Sequence, residues 1–151
     1  MIDAQLLREL AAIAGDDYVL TAQGERLVYE CDGFTLGRNL PEVVVLPGNS
    51  DEVARIIRLL HARRIPFVPR GAGTGLSGGT MPPEGAVMLG LSRLNRIIEV
   101  DYRNRCAVVE SGVVNAHLSD FVAAAGFGFA PDPSSGAAST IGGNVAENAG
   151  G

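Results

Sequence analysis

The sequence predicts an α+β fold in which a parallel βαβ subdomain is followed by an antiparallel-sheet subdomain. Three observations carry this. Residues 43–68 read in order as strand, helix and strand. Residues 97–111 read as two strands split by a polar turn. Two glycine-rich stretches lie on either side of that strand layer.

Taken in order, Asp3 stands at an N-cap position, and Leu6, Leu7, Leu10 and Ala14 repeat at helical spacing until Gly15 stops them. Residues 16–42 hold no sustained period and read as irregular, with short extended pieces. Val43-Val44-Val45-Leu46 is β-branched and bounded by Pro41 and Pro47, the pattern of a buried strand. Ser50 is the expected cap of the clearest helix. Asp51 and Glu52 occupy its first turn, Val53, Ile56, Ile57 and Leu60 form its apolar stripe, and Arg55, Arg58, His61, Arg63 and Arg64 crowd its later part. Acid first and base last suits the helix dipole. Phe67-Val68 completes a βαβ unit, whose strands run parallel. Ala86–Leu89, Ile97–Asp101 and Cys106–Ser111 are further strands, the last two joined by the turn Tyr102-Arg103-Asn104-Arg105 as an antiparallel hairpin. Asn115 is expected to cap a helix that turns Leu118, Phe121, Val122 and Ala125 inward and closes at Gly126. A last helix is expected to begin near Gly142.

Composition removes several function classes. Hydrophobic residues make up 46% of the 151, which excludes a disordered chain. Twelve basic against 17 acidic side chains give a net charge of −5, and no basic block is dense enough to neutralise a run of phosphates, which argues against a nucleic-acid partner. No apolar stretch approaches the length of a membrane span, and the N-terminus lacks the order of a signal peptide. Cys31 and Cys106 read as free core thiols of a reducing, cytoplasmic compartment, and no Cys/His spacing suggests a metal site. Asn148-Ala149-Gly150-Gly151 is loop chemistry of the kind that leads into a further element, so Gly151 reads as a truncation point.

The most informative stretch is Pro69 through Gly79, which holds five glycines. Glycine at that density leaves backbone N–H groups uncovered and permits positive φ. Successive exposed N–H groups form a concave nest for phosphate oxygens. Gly73-Thr74-Gly75-Leu76-Ser77-Gly78 matches G-x-G-x-x-G, but a dinucleotide site of the Rossmann kind needs a helix starting within the loop. Thr80-Met81-Pro82-Pro83-Glu84-Gly85 forbids that helix. Asp101 could imitate the ribose-binding acid, yet no helix fits before its strand. No Gly-Lys-Ser/Thr follows, so a P-loop is absent. A second cluster, Pro131-Asp132-Pro133-Ser134-Ser135 and Ser139 through Gly151, can face the first loop and clamp an extended dinucleotide. Gly142 and Gly143 would open a helix N-terminus toward charge. Ser135, Thr140, Asn144 and Asn148 offer uncharged donors.

Four pieces, Tyr29-Glu30-Cys31-Asp32-Gly33, Pro69 through Gly79, Ala130 through Ser135, and Ser139 through Gly151, stand in an order that resembles the FAD-binding domain of the vanillyl-alcohol oxidase/p-cresol methylhydroxylase (PCMH) type. Within it, they resemble the branch of glycolate oxidase flavoprotein subunits and D-lactate dehydrogenases. The resemblance covers nearly the whole chain. It implies that residues 41–151 are the N-terminal part of a PCMH-type FAD-binding domain, truncated before its C-terminal half and its substrate (cap) domain, with residues 1–40 as helix and lead-in. It implies that Gly71, Ala72, Gly73, Thr74, Gly75 and Leu76 wrap the pyrophosphate, with Pro69 and Arg70 setting the approach to the loop. Pro131, Asp132, Pro133, Ser134 and Ser135, with Thr140, Ile141, Gly142 and Gly143, would line the flavin and its ribityl-phosphate arm. Asn144, Asn148 and Gly150 would continue that wall. Some members attach the flavin through a histidine of the first loop. Thr74 stands there in this chain, so non-covalent FAD is expected.

Intact members of that hydroxy-acid branch oxidise a 2-hydroxy acid to the 2-oxo acid by hydride transfer to flavin N5. The resemblance therefore implies a small 2-hydroxy-acid substrate, of the glycolate or D-lactate class, and an iron–sulfur or other electron-transfer subunit, through which a cytoplasmic protein would associate with a membrane. The carboxylate clamp and catalytic base lie further along in that family, so no catalytic residue is expected here. The alternative is a non-catalytic nucleotide-binding or assembly module. His61, His117 and the Arg55–Arg64 run read as solvated helix positions, and Asp132 as a turn former.

Overall fold

The computed structural model describes residues 2–151. Helix α1 (Ala4–Ala14) is capped by Asp3, whose carboxylate accepts from Leu6 N at 2.7 Å, and ends at Gly15 with φ +95°. The lead-in that follows contains β1 (Val19–Leu20) and the short α2 (Gln23–Arg26). Next come β2 (Val43–Val45), α3 (Ser50–Ala62), β3 (Phe67–Arg70), β4 (Val87–Gly90), β5 (Ile97–Asp101), β6 (Cys106–Val109), α4 (Asn115–Ala123) and α5 (Ile141–Glu147). The α+β class is as the sequence predicts.

The first sheet has the order β1-β2-β4-β3, with β1 antiparallel at the edge and the other three strands parallel. The predicted βαβ unit is present, but β4 lies between its two strands. Val43 and Phe67 both pair with Val87, and Arg70 pairs with Gly90. All four residues of β4 are buried, as suits a run covered on both faces. Val43, Val45, Val87 and Leu89 meet Leu6, Leu10, Ile56 and Leu60 of the two helices. Val44 and Met88, one residue out of phase, are also fully buried but belong to the opposite face. Arg63 ties α3 to α1 through Glu9 at 2.7 Å, so that part of the basic run is not simply solvated.

The connection from β3 to β4 positions the site. Parallel neighbours require a crossover, ordinarily helical. Here coil and turns make it, because Pro82 and Pro83 cannot join a helix interior. In the second subdomain, β5 and β6 form the predicted hairpin, with a register shift between Ile97 and Glu99. Its smaller core is Val113, Leu118 and Val122, joined by Ile97, Val100, Val109, Phe129 and Ile141.

Four expectations need correction. The cap of α3 is Asn49, not Ser50: its side chain accepts from Glu52 N at 2.9 Å and donates through Nδ2 to Glu52 Oε1 at 2.7 Å, while Glu52 Oε2 accepts from Gly48 N. Asn115 does not cap α4. It is the first helical residue, and Val114 precedes it without a side-chain cap bond. Asn115 is instead buried and used across the fold, while Phe121 stays 59% exposed and Ala125 is exposed too. Cys106 is exposed and Cys31 half-buried, so neither is a core thiol.

Replacing Asn49 by alanine is expected to cost about 1 kcal/mol in a chemical melt, while Ser50→Ala stays within ~0.5 kcal/mol. A second test concerns Glu110, buried beside the hairpin. It accepts from Arg96 through Nη2 at 2.7 Å, Nε at 3.1 Å and the backbone N–H at 2.8 Å. The Arg96 side chain first, then its N–H, hold the carboxyl below its ordinary value of 4.5. A depressed carboxyl stabilises the fold above its unfolded pKa and stops doing so as pH falls through the folded one. Glu110→Gln should therefore melt below the native protein at neutral pH, and the gap should close in strongly acidic solution.

Candidate functional site

The crossover coil and the 133–149 segment face each other across a cleft of about 590 Å³. That volume lies in the ~300–1,000 Å³ range of small-molecule sites. Gly71, Ala72, Gly73, Thr74, Gly75, Leu76, Ser77 and Thr80 form one wall. Pro133, Ser134, Ser135, Ser139, Thr140, Gly143, Asn144, Glu147 and Ala149 form the other.

The first wall begins where β3 ends. Arg70 O accepts the ladder-closing bond from Leu91 N at 2.9 Å, and the chain then leaves the sheet. From Gly71 through Gly79, no backbone amide donates to a protein acceptor among the described residues. Gly73 and Gly78 adopt φ +70° and +75°, which turns successive peptide planes and lets neighbouring amides converge. The wall is supported from behind. Gly33 packs so closely that a Cβ there would lie 2.7 Å from Gly75 O. The Arg70 guanidinium runs beneath Gly73, donating to Cys31 O at 2.7 Å and to Thr80 Oγ1 at 3.2 Å.

The second wall is built on α5. Thr140 caps it, accepting from Gly143 N at 3.4 Å. Ile141 N and Gly142 N donate back to Val113 O and Ser111 O, both at 2.8 Å. Buried Asn144 donates through Nδ2 to Asn115 Oδ1 at 2.6 Å, and Asn115 donates on to Pro131 O at 3.3 Å. This pair fixes the 131–135 turn against the helix. Asp132 N donates to Gly150 O at 3.0 Å and closes its outer end. Two contacts hold the walls together. Thr140 Oγ1 lies where a Cβ on Gly71 would stand, and Ser77 Oγ donates to Glu147 Oε2 at 2.7 Å.

Of the residues expected from the sequence, Gly71 through Leu76, Pro133, Ser134, Ser135, Thr140, Gly143 and Asn144 line the cleft together. Pro69, Arg70, Pro131, Asp132, Ile141, Gly142, Asn148 and Gly150 do not line it. Pro69 is a strand residue paired with Leu89, and Arg70 turns behind the loop. Ile141 packs into the smaller core, and Asn148 is the left-handed end of α5 with φ +53°. Asp132 is exposed in its turn. The donor of Asn144 is engaged inward rather than toward the cleft. Ser77, Thr80, Ser139, Glu147 and Ala149 line the cleft without having been singled out. Glu147 was discoverable, because it follows Gly143 by four positions and therefore shares its helix face.

Glu147 is the only charged side chain of the lining, and no histidine, lysine or arginine is in it. Among the described residues no cluster of three metal-ligating side chains occurs. An anion in this cleft would therefore be bound by main-chain amides and hydroxyls, with Arg70 as the nearest buried cation behind them. A diphosphate fits that donor set: a shallow run of free N–H groups over glycines whose missing Cβ atoms leave the backbone bare.

The model of an FAD binding domain matches residues 41–151. The chain is 39% identical to the glycolate oxidase subunit GlcD of Bacillus subtilis over 151 residues, all of this chain and 32% of that protein. It is 47% identical to the GlcD of Escherichia coli over 133 residues, 88% of this chain and 27% of that one. It is 40% identical to a D-lactate dehydrogenase of Anaerostipes hadrus over 115 residues, 76% of this chain and 24% of that one. A solved alkyldihydroxyacetonephosphate synthase superposes with a TM-score of 0.87 at 26% identity, covering 97% of this chain and 32% of that one. The chain thus spans about a third or less of the length of the relatives it matches.

Glycine 71 gives the sharpest test of this geometry. Gly71→Ala would drive a methyl group into Thr140 Oγ1 and push the walls apart, at an expected cost of about 1–3 kcal/mol in a denaturant melt. Gly75→Ala, whose Cβ would find only Glu147 at 3.8 Å, should cost well under that.

Proposed function

The chain belongs to the family of FAD binding domains, and from that premise we propose that it is the cofactor-binding portion of a flavin-dependent oxidoreductase acting on a 2-hydroxy acid of the glycolate or D-lactate class. The observation that carries the reading is the run of free amides from Gly71 through Gly79, opposite a second wall of small and hydroxylic residues. The likeness to glycolate oxidase and D-lactate dehydrogenase supports the substrate class.

In this reading the amides of Gly71–Ser77 hold the diphosphate, and Thr74 faces it. Pro133, Ser134 and Ser135 flank the ring system, whose edges Thr140, Gly143 and Asn144 meet from the other side. Bound FAD supplies the two-electron acceptor, which no amino-acid side chain can. The walls exclude water from one side and fix the orientation of what lies between them. The lining offers neither a base of suitable reach nor a cation for a substrate carboxylate, so those groups would come from outside these residues. No histidine lines the cleft, which supports non-covalent attachment. The likeness to subunits of glycolate oxidase supports partner subunits for electron transfer.

Titrating FAD with the purified chain should quench flavin fluorescence to a saturable end point, and acid precipitation should leave the flavin in the supernatant. A flat titration overturns the cofactor assignment, and a yellow pellet overturns the non-covalent one. In a longer polypeptide carrying these residues, glycolate or D-lactate should bleach the visible flavin band under nitrogen. A bound but unbleached flavin would favour the non-catalytic module instead.

A further inference from the structure

We propose that Arg70 is a positioning residue for the diphosphate: from behind Gly73 its buried guanidinium sets a positive potential under the free amides of the glycine loop. This deepens the function proposed above and rests on it.

The geometry singles out this side chain. Arg70 is the last residue of β3, only 8% exposed, yet it does not line the cleft. The atoms nearest to a Cβ built on Gly73 are its Nη2, Cζ and Nε, so the planar group lies flat against the underside of the loop. Its identified hydrogen-bond acceptors are neutral: Cys31 O at 2.7 Å, Thr80 Oγ1 at 3.2 Å and Val28 O at 3.5 Å. Tyr29 faces it with the ring centroid 5.6 Å from Cζ. No carboxylate lies within ion-pair distance of it among the described residues. The acid that acts on it most is Asp32, one hydroxyl away. Its Oδ2 accepts from Thr80 N and from Thr80 Oγ1, both at 3.4 Å, and its Oδ1 accepts from Phe34 N at 2.8 Å.

A buried cation whose counter-charge is one group removed is costly without an anion nearby. Burial lowers the affinity of this guanidinium for its proton, and Asp32 only partly opposes that. The open side is the loop, where the amides are also without acceptors. Both deficits are met by one negative group above Gly73. A side chain that only stitched the 28–32 segment to the loop would need no charge. The two roles predict opposite signs when the counter-charge is removed.

The test measures FAD affinity by fluorescence quenching for the native chain, Arg70→Met, Arg70→Lys and Asp32→Asn, with far-UV circular dichroism to establish folding. ADP and adenosine serve as competitors with and without the diphosphate. Arg70→Met should weaken FAD and ADP by about tenfold and leave adenosine unchanged. Arg70→Lys should recover most of that loss. Asp32→Asn keeps the acceptor for Phe34 N, gives up only the two long contacts from Thr80 N and Oγ1, and removes the negative charge, so it should tighten FAD and ADP by about threefold. Weaker or unchanged binding in Asp32→Asn, or equal losses for ADP and adenosine in Arg70→Met, would overturn the proposal. Should Arg70→Met fail to fold, the sign for Asp32→Asn decides alone. A native chain that binds neither FAD nor ADP refutes the function proposed above, whereas native binding with the wrong variant signs refutes only the role of Arg70.

Discussion

A run of backbone amides without acceptors is the constraint around which this molecule is arranged. Main-chain N–H groups removed from regular structure need partners. Between Gly71 and Gly79 the described residues supply none, yet they pack the run tightly from behind with Gly33, Arg70 and Thr80. The sheet order follows the same requirement. With β3 and β4 paired in parallel, the chain must return from one end of the sheet to the other. Making that return in coil rather than helix leaves the donors free instead of pairing them within a helix.

The net charge of the chain is negative, and its proposed ligand is an anion. These facts coexist because the local field differs from the global sum. Acidic and basic side chains are largely paired or solvated elsewhere, as in Arg63 with Glu9 and Arg96 with Glu110. At the cleft only Glu147 intrudes, and it is engaged by Ser77. The rest of the lining is neutral donor, with one guanidinium behind it.

Most elements were legible in the sequence because each had a local cause. Asp3 and Gly15 bracket α1, prolines bracket β2, and a polar turn separates β5 from β6. What was not legible depended on contacts between distant segments. Nothing local places β4 between β2 and β3, since that choice reflects which strand can be covered on both faces. Asn49 and Ser50 are both good cap residues, and only the observed bond to Glu52 N separates them. Asn115 looked like a cap because its type suits one, but its partners are Asn144 and Pro131. The glycine loop stood out from its composition. The direction of the Arg70 side chain did not, because the sequence places Arg70 at the approach to the loop without fixing which side of it the guanidinium takes.

The bond from Ser77 to Glu147 joins residues 70 apart in sequence. Neither subdomain can form that closure alone, because Ser77 and Glu147 belong to different ones. Contacts of such long range are entropically late events in folding. A molecule that prefers the closed walls therefore draws the chain toward its final topology as well as occupying it, and assembly and loading become two views of a single equilibrium.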